Sequence, residues 1–412
     1  MSVIELETLL HASRRAARVL AVAGTAPRRA AIEAIADAID ASVDAIVAAN
    51  AEDLQRGRGT LAEGLLDRLA LDEGRVAALA ASARELAALP DPVGEVTRSR
   101  TLDNGLELTE VRVPFGVVGA IYEARPNVTV DLACIALGSG NAIVLRGGSA
   151  AERTNAVLVA TMQRAVAGAG LPAESVQTID ALGRDGARAL MRARGLVDLL
   201  VPRGSASLIE TVVRESQVPV IETGAGVVHA FVDAAADLAL AIPLLLNAKT
   251  QRTSVCNSLE TVLVHRAIAD TAVPVVVDAM RAAGVTVHAD GDVADAEPLG
   301  PDGWATEHLS MDVAVRVVDD LDAAIDHIER FGTHHTDVIL TEDAAAAERF
   351  LAEVDSAVVM VNASTRFTDG GQFGFGAEVG ISTQKAHARG PMGLPELTST
   401  KWLVRGTGQV RA

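Results

Sequence analysis

The first quarter of the chain has apolar residues at helical spacing. Residues 3 to about 90 are rich in alanine, and apolar positions recur three and four residues apart, as in APRRAAIEAIADAIDASVDAIVAAN. This spacing predicts amphipathic helices. Each apolar stripe must be covered, so we expect these helices to pack on a larger body.

A different pattern follows, in RSRTLDNGLELTEVRVPFG. Two runs of alternating apolar and polar residues flank Asp103-Asn104-Gly105. Asn-Gly between such runs is a strong signal for a two-residue turn. The segment therefore predicts a β-hairpin.

Beyond the hairpin, short β-rich runs alternate with helical segments. The runs of the first half are GVVGAIYEARPN, GNAIVLRGG, SVQTID, VDLLVPRG and VPVIETGAG. The second half continues with LETVLVH, a helix from about Ile268 to Ala283, VTVHA, VAVRVVD, a helix from about Leu321 to Phe331, DVILTED and SAVVMVN, and TSTKWLVRGTGQV predicts a terminal strand. Such alternation predicts two α/β units with parallel sheets covered on both faces.

Three glycine-rich corners, LRGGSAA, VPRGSAS and IETGAG, are expected to end strands and open helices. Exposed backbone amides at a helix N-terminus suit a phosphate group, and several such corners along one sheet favour a nucleotide-binding crevice. The G-x-G-x-x-G fingerprint is absent, which disfavours an ordinary Rossmann dehydrogenase.

Composition narrows the class of protein. A chain of 412 residues is long enough for two or three domains, and 49% hydrophobic with 22% charged residues is a globular mix. The net charge of −18 argues against a nucleic-acid partner. Two cysteines do not form a disulfide framework, the N-terminus lacks signal-peptide features, and no apolar run is long enough to span a bilayer. We therefore expect a cytoplasmic protein with no membrane partner.

The two cysteines have contrasting neighbours. Cys134 lies in the apolar VDLACIALGSG, whereas Cys256 lies in the polar KTQRTSVCNSLETVLVH. From the residues alone, Cys256 is either an inert thiol or a thiolate stabilised by nearby cations. The segment FGTHHTDVILTED offers polar substrate contacts or a plain turn, and no third ligand is spaced for a metal, so no metal is expected.

Five segments together resemble a known family. VPFGVVGAIYEARPNVT, GNAIVLRGGS, QRTSVCNSLETVLVH, FGTHHTDVILTED and GPMGLPELTSTKW are similar, in this order, to the γ-glutamyl phosphate reductases (glutamate-5-semialdehyde dehydrogenases), the proline-pathway branch of the aldehyde dehydrogenase superfamily. The resemblance implies an aldehyde dehydrogenase-like α/β fold with two parallel α/β domains and a small β element for oligomerisation. The implied bounds are 1–95 and 115–225 for an NADP-binding domain, 226–396 for a catalytic domain, and 96–114 and 397–412 for the oligomerisation hairpin and C-terminal strand.

The resemblance also implies roles for single residues. Cys256 matches the family's nucleophile, and Asn127 matches the asparagine that forms the oxyanion hole with the cysteine's own N–H. The implied cofactor residues are Arg146 at the adenosine ribose, its neighbours Gly147, Gly148 and Ser149, the pyrophosphate turn Gly204 and Ser205, and Glu307 at the nicotinamide ribose. Glu222 aligns with the water-activating glutamate of aldehyde-oxidising relatives, although the motif around it differs. The reductive reaction that the resemblance implies needs no attack by water, so we expect a structural or orienting role for Glu222.

The implied reaction is the NADPH-dependent reduction of L-glutamyl 5-phosphate to L-glutamate 5-semialdehyde through a cysteine thioester, the second step of proline biosynthesis from glutamate. This substrate carries two anionic ends, so cations and hydrogen-bond donors are needed near the thiol. The candidates are Arg125, Lys249, Arg252 and Arg366, with His335 and Thr336 adding hydrogen bonds. A homo-oligomer, dimer or tetramer, and an association with glutamate 5-kinase are also expected.

Two other functions fit the same sequence. A general NAD(P)-dependent aldehyde dehydrogenase would oxidise a small aldehyde and would need Glu222 to activate water. A non-catalytic assembly protein on the same scaffold would have no need for Cys256 and Asn127. The retention of both residues favours an enzyme.

Overall fold

The computed structural model describes residues 3–61, 63–123, 125–291, 293–294 and 296–411. The chain forms two compact units. Unit 1 contains the residues up to Glu222, with Gly374–Gly380 and the chain from Met392 onward. Unit 2 contains Thr223–Phe373 and Ile381–Pro391.

Unit 1 begins with the predicted helices. Its helices are α1 (Val3–Leu20), α2 (Thr25–Asp40), α3 (Val43–Gly57), α4 (Glu63–Leu69), α5 (Glu73–Ala88), α6 (Pro126–Gly138), α7 (Glu152–Gly168), α8 (Gly183–Arg192) and α9 (Ala206–Glu215). In α2 the side chains of Ile32, Ile35 and Ile39 are buried, which is the apolar stripe that the spacing predicts. Helix α2 packs against α5, α6 and α7.

The sheet of unit 1 is parallel and has the strand order β5-β4-β3-β6. The strands are β3 (Val117–Tyr122), β4 (Ala142–Arg146), β5 (Val176–Thr178) and β6 (Leu199–Arg203). The central β3 is buried along its whole length, as expected for a parallel strand covered on both faces. The carboxyl ends of β4 and β6 carry the predicted cofactor corners.

A separate antiparallel sheet belongs to the same unit. The strands β1 (Val96–Thr101) and β2 (Glu107–Pro114) form the predicted hairpin, in which Gly105 has a φ of 83° and its N–H bonds the Leu102 carbonyl at 2.8 Å. The C-terminal strand β16 (Thr398–Arg405) pairs with the other edge of β2. The order is thus β1-β2-β16 within one chain.

Unit 2 is built on a seven-stranded parallel sheet of order β10-β9-β11-β8-β7-β12-β13. Its strands are β7 (Val228–Val232), β8 (Leu259–His265), β9 (Thr286–Ala289), β10 (Glu297–Pro298), β11 (Asp312–Val318), β12 (Thr336–Leu340) and β13 (Val358–Val361). Its helices are α10 (Leu238–Thr250), α11 (Ala269–Ala282), α12 (Leu321–Phe331) and α13 (Ala344–Glu353), and the short strands β14 (Gly380–Ser382) and β15 (Gly390–Met392) pair with each other.

Alternate residues of the central strands of unit 2 enter two different cores. Ala230 and Val262 pack with α10 and α11, whereas Phe231 and Leu263 pack with α12 and α13. This is the period of two expected of a strand covered on both faces. The predicted parallel α/β architecture is confirmed.

Two details of the prediction differ from the structure. The run VPVIETGAG forms an isolated bridge at Val220 rather than a strand, and its corner IETGAG opens no helix, because Gly224 and Gly226 lead into strand β7. The segments 374–380 and 392–396, assigned by prediction to the catalytic domain, belong to unit 1, where Gly376 lies against Leu86 and Leu89. Within the described residues, no helix combines the length and apolar character needed to cross a membrane.

Candidate active site

Cys256 lies on the loop of residues 251–258 that joins α10 to β8, and its side chain is half-buried. The neighbouring Asn257 is fixed from two sides. Its Nδ2 donates to the Thr368 carbonyl at 2.7 Å, and its own carbonyl accepts from the Thr365 hydroxyl at 2.8 Å. The loop therefore presents the thiol from a backbone held by residues 365–368.

The backbone of Cys256 is also packed against Gly226. A Cβ at position 226 would lie 1.5 Å from the Cys256 carbonyl oxygen, so only glycine fits there. The N–H of Gly226 donates to Oε1 of Glu307 at 2.8 Å. The structure thus brings the predicted nicotinamide-ribose ligand Glu307 to the strand entrance that supports Cys256.

One of the predicted cations, Arg366, lies near the thiol, and a second, Arg252, lies near Arg366. The guanidinium of Arg366 interacts electrostatically with both Arg252 and Cys256, and its Nε donates to Gln251 at 2.7 Å. Burial and the like charge of Arg252 lower the pKa of Arg366, while Asp369 and Cys256 oppose this shift. A guanidinium near a cysteine, with a second guanidinium near the first, provides a positive environment for a thiolate and for an anionic substrate.

Lys249 occupies a different environment from the one predicted. Its side chain is fully buried, and its Nζ pairs with Oε2 of the equally buried Glu260 at 3.1 Å. Burial lowers the pKa of Lys249 and raises that of Glu260, and each charge opposes the shift of the other. The Lys249 ammonium is buried and its charge is paired with Glu260, which argues against the direct substrate contact expected of Lys249.

His335 and Thr336 begin strand β12 and are both buried. Thr336 Oγ1 lies 2.9 Å from His335 Nδ1 and donates to Thr368 Oγ1 at 3.0 Å. Thr368 is the residue whose carbonyl accepts from Asn257. Burial lowers the pKa of His335 to about 4, so this imidazole is neutral at neutral pH. Through these hydrogen bonds the pair supports the loop of residues 251–258.

The predicted adenosine-ribose corner lies at the end of β4. Arg146 is half-buried and its Nε donates to the Gly183 carbonyl at 3.1 Å. The N–H of Gly147 donates to Asp180 at 2.6 Å, and a Cβ at Gly147 would lie 2.2 Å from Asn155 Nδ2. Gly148 and the exposed Ser149 then lead into α7.

The predicted pyrophosphate turn already binds an anionic group. Glu123, at the end of β3, accepts from the Ser205 N–H at 3.0 Å and from the Ser205 hydroxyl at 2.8 Å. These donors lie at the N-terminus of α9, where the helix dipole favours negative charge. A turn that binds a carboxylate in this way also fits a phosphate, so the residues present suit the cofactor that the family implies.

Asn127 is exposed in the first turn of α6, and Arg125 is the residue just before this helix. One amide hydrogen of Asn127 is directed at Asp131 Oδ2, 3.5 Å away. Burial raises the pKa of Asp131 to about 6. Glu222 is half-buried at the last position before unit 2.

Cys134 is fully buried within α6, and this burial raises the pKa of its thiol. It therefore remains a neutral core residue. The contrast between the two cysteines follows the contrast of their flanking sequences.

Several residues of the site were missed by the sequence reasoning. They are Glu123, Gly226, Asn257, Glu260, Thr365 and Thr368. Only two of them carried a signal. Gly226 lies in a recognised glycine-rich corner, and Glu260 interrupts an otherwise apolar buried strand, where an acid needs a counter-charge.

The fold and the site define a class of enzyme. The family model described as "Aldehyde dehydrogenase family" matches residues 3–300, and the chain belongs to this family. Among curated proteins, the γ-glutamyl phosphate reductase of Clavibacter michiganensis subsp. michiganensis is 63% identical, with 99% of this chain and 95% of the relative covered.

The γ-glutamyl phosphate reductase of Leifsonia xyli subsp. xyli is 61% identical, with 97% of this chain and 96% of the relative covered. Among solved structures, that of the γ-glutamyl phosphate reductase of Thermotoga maritima superposes with a TM-score of 0.96 at 44% identity, covering 99% of this chain and 100% of the other. The predicted resemblance is confirmed.

Proposed function

We propose that this enzyme reduces L-glutamyl 5-phosphate to L-glutamate 5-semialdehyde and phosphate, the second step of proline biosynthesis from glutamate. The observation that carries the proposal is the position of Cys256 on the loop of residues 251–258, called the nucleophile loop below. The protein that carries this loop is similar over its full length to γ-glutamyl phosphate reductases. On this loop, Cys256 lies within electrostatic reach of Arg366, and Arg366 in turn has Arg252 as a cationic neighbour.

The residues of the loop account for the acyl-transfer half of the reaction. The Cys256 thiolate attacks the carbonyl carbon of the acyl phosphate, the bond to the phosphate oxygen breaks, and phosphate leaves with the electron pair. Arg252 is proposed to stabilise the thiolate and the leaving phosphate, and Arg366 to bind the α-carboxylate of the substrate. Asn127 is the proposed oxyanion donor, and a donor of this kind contributes about 3–4 kcal/mol in other enzymes.

When bound, NADPH supplies the hydride that reduces the cysteine thioester. The tetrahedral oxyanion that this addition would leave on Cys256 collapses, the C–S bond breaks, and the aldehyde leaves as the thiolate is regenerated. This route uses no activated water, so it assigns no general-base role to Glu222. Glu307 is proposed to bind the nicotinamide ribose, and Arg146, Gly147, Gly148, Ser149, Gly204 and Ser205 the rest of the cofactor.

The preference for NADPH over NADH is assigned to Arg146. A guanidinium pairs bidentately with a 2′-phosphate, whereas a ribose hydroxyl gives it much less to bind. Arg146→Ala should raise the KM for NADPH far more than the KM for NADH. Equal effects on both cofactors would contradict this assignment.

We further propose a cytoplasmic homo-oligomer assembled through the β1-β2-β16 sheet. The outer strand β16 exposes Trp402 and Val404, at 47% and 58% of their surface. Deleting residues 399–412 should yield monomers in sedimentation analysis, and Val404→Arg tests the same surface without removing a strand. An unchanged mass in both variants would exclude this surface.

The overall function is tested in the reverse direction. Glutamate semialdehyde should reduce NADP only when inorganic phosphate is present, because phosphate must cleave the thioester. Oxidation without phosphate would instead favour the general aldehyde dehydrogenase, with water as the acceptor.

A further inference from the structure

The buried pair of Lys249 and Glu260 brackets the nucleophile loop. Lys249 lies in the last turn of α10, and Glu260 is the second residue of β8. Both side chains have 0% of their surface exposed. The pair joins the two ends of the loop from inside unit 2.

The second oxygen of Glu260 holds another segment. The N–H of Leu309 donates to Oε1 at 3.4 Å, and the N–H of His308 also donates to this carboxylate. Leu309 has a φ of 55°, a region that residues with a Cβ rarely occupy. Such a backbone persists where its surroundings hold it, and Glu260 supplies the acceptors that do so.

This segment carries Glu307, the residue next to the two amides. Glu307 binds the N–H of Gly226, whose Cα faces the Cys256 carbonyl. A continuous series of contacts therefore connects Glu260 to Cys256 through residues 307–309 and Gly226. One carboxylate thus fixes the backbone on which Glu307 stands.

We propose that Glu260, with Lys249 as its counter-charge, is a positioning residue that sets the orientation of Glu307 towards the nicotinamide ribose. This inference rests on the proposed function, since it takes Glu307 as a cofactor contact. Stability does not explain the pair, because a buried ion pair is often no more stabilising than apolar side chains of the same volume. A carboxylate that accepts from an ammonium and from two backbone amides does explain it, because its acceptors fix a direction.

The variant Glu260→Gln tests the idea with the smallest change of shape. A glutamine has one acceptor oxygen, so its NH2 group must face either Lys249 or the amides of residues 308 and 309, which are all donors. An unsatisfied buried donor of this kind should weaken NADPH binding about tenfold in a fluorescence titration. Hydrogen exchange of the peptide covering residues 306–311 should become faster.

The alkylation rate of Cys256 by iodoacetamide, measured without cofactor, separates this role from general damage. We expect it to stay within about twofold of wild type, because the hydrogen bonds of Asn257 to residues 365–368 remain. The matched control is Thr341→Val, which breaks the buried 2.6 Å bond from Thr341 to Asp233 elsewhere in unit 2. It should leave NADPH affinity unchanged.

If Glu260→Gln does not fold, Lys249→Met with Glu260→Leu removes the pair and keeps the core filled. The inference is overturned by unchanged NADPH affinity, by an equal loss in Thr341→Val, or by a parallel loss of thiol alkylation. Wild-type protein that binds no NADPH would instead refute the proposed function.

Discussion

At the scale of single residues, the two cysteines are expected to behave as opposites. Cys256→Ala should abolish turnover and leave NADPH binding nearly intact, because it removes the proposed nucleophile and none of the proposed cofactor contacts. Cys134→Ala should retain activity, since this thiol is fully buried within α6. Steady-state kinetics of both variants, with circular dichroism as a check on folding, decide the point. Comparable losses of activity would refute the assignment.

Arg366 is expected to recognise the amino-acid end of the substrate. Its neighbours are Arg252, Asp369 and the thiol, and an arginine fork suits a carboxylate. Arg366→Ala should cripple the phosphate-dependent oxidation of glutamate semialdehyde and barely change the slow oxidation of propanal, which lacks that end. The ratio of kcat/KM for the two aldehydes is the measurement. An equal loss on both would show that Arg366 supports the loop or the phosphate.

At the scale of secondary-structure elements, the N-terminus of α9 has two competing uses. The carboxylate of Glu123 occupies the donors of Ser205 that the pyrophosphate is proposed to need. Glu123→Ala should therefore lower the Kd for NADPH, because no carboxylate has to be displaced. It should also lower stability by about 1 kcal/mol, the usual cost of a lost helix cap.

Opposite signs for affinity and stability would identify this competition. Titration of NADPH fluorescence and thermal unfolding measure the two effects separately. A rise in Kd would mean that Glu123 assists the cofactor. Glu215→Ala, which removes an exposed acid at the other end of the same helix, is the control for the loss of a charge at α9.

The elements of the fold were largely predictable, and the supports of the site were not. Short β-rich runs and apolar residues at helical spacing both reflect the burial of a local segment, so β8 and α12 were predicted at their observed bounds. The failure at IETGAG has a physical cause. A glycine that relieves a close approach, as Gly226 does beside Cys256, has the same signature in sequence as one that opens a helix.

The distant partners of the site were beyond prediction for another reason. Thr365 and Thr368 reach Asn257 across more than a hundred residues of chain, and nothing in their local sequence indicates that contact. Lys249 shows the converse error. Its nearness to Cys256 in sequence suggested a substrate cation, but the helix directs its side chain into the core.

At the scale of the whole molecule, stability depends on buried groups that resist charging. Burial lowers the pKa of His327 to about 3 and that of His335 to about 4, and both lie in unit 2. Burial acts in the opposite direction on carboxylic acids, raising the pKa of Asp131 to about 6 and that of Glu260 to about 7. The histidines and the acids therefore tilt the pH profile of stability in opposite directions.

The direction in which His327 changes stability with pH follows from the number of protons bound in the folded and unfolded states. Its pKa is near 6.5 in the unfolded chain and about 3 when folded, so between these values the unfolded state binds more protons. Stability from this residue is thus present above pH 6.5 and is lost as the pH falls, by about 1.4 kcal/mol per pH unit. The neighbouring groups also disfavour protonation of His327. Arg316 lies 2.9 Å from its Nδ1, and Arg316, Arg330 and His229 each lower its pKa.

His327→Asn should remove this dependence, because an amide oxygen can accept the Arg316 bond and does not titrate. Denaturant unfolding at several pH values between 4.5 and 6.5 measures it, followed through Trp304, whose ring is 5.1 Å from that of His327, in a Trp402→Phe background. We expect the variant to lose less stability than wild type as the pH falls. The exposed His11→Asn should match the wild-type slope. Because the acids contribute equally to every protein in the series, the difference in slope isolates His327, and parallel slopes for variant and wild type would show that its burial does not govern the acid sensitivity of unit 2.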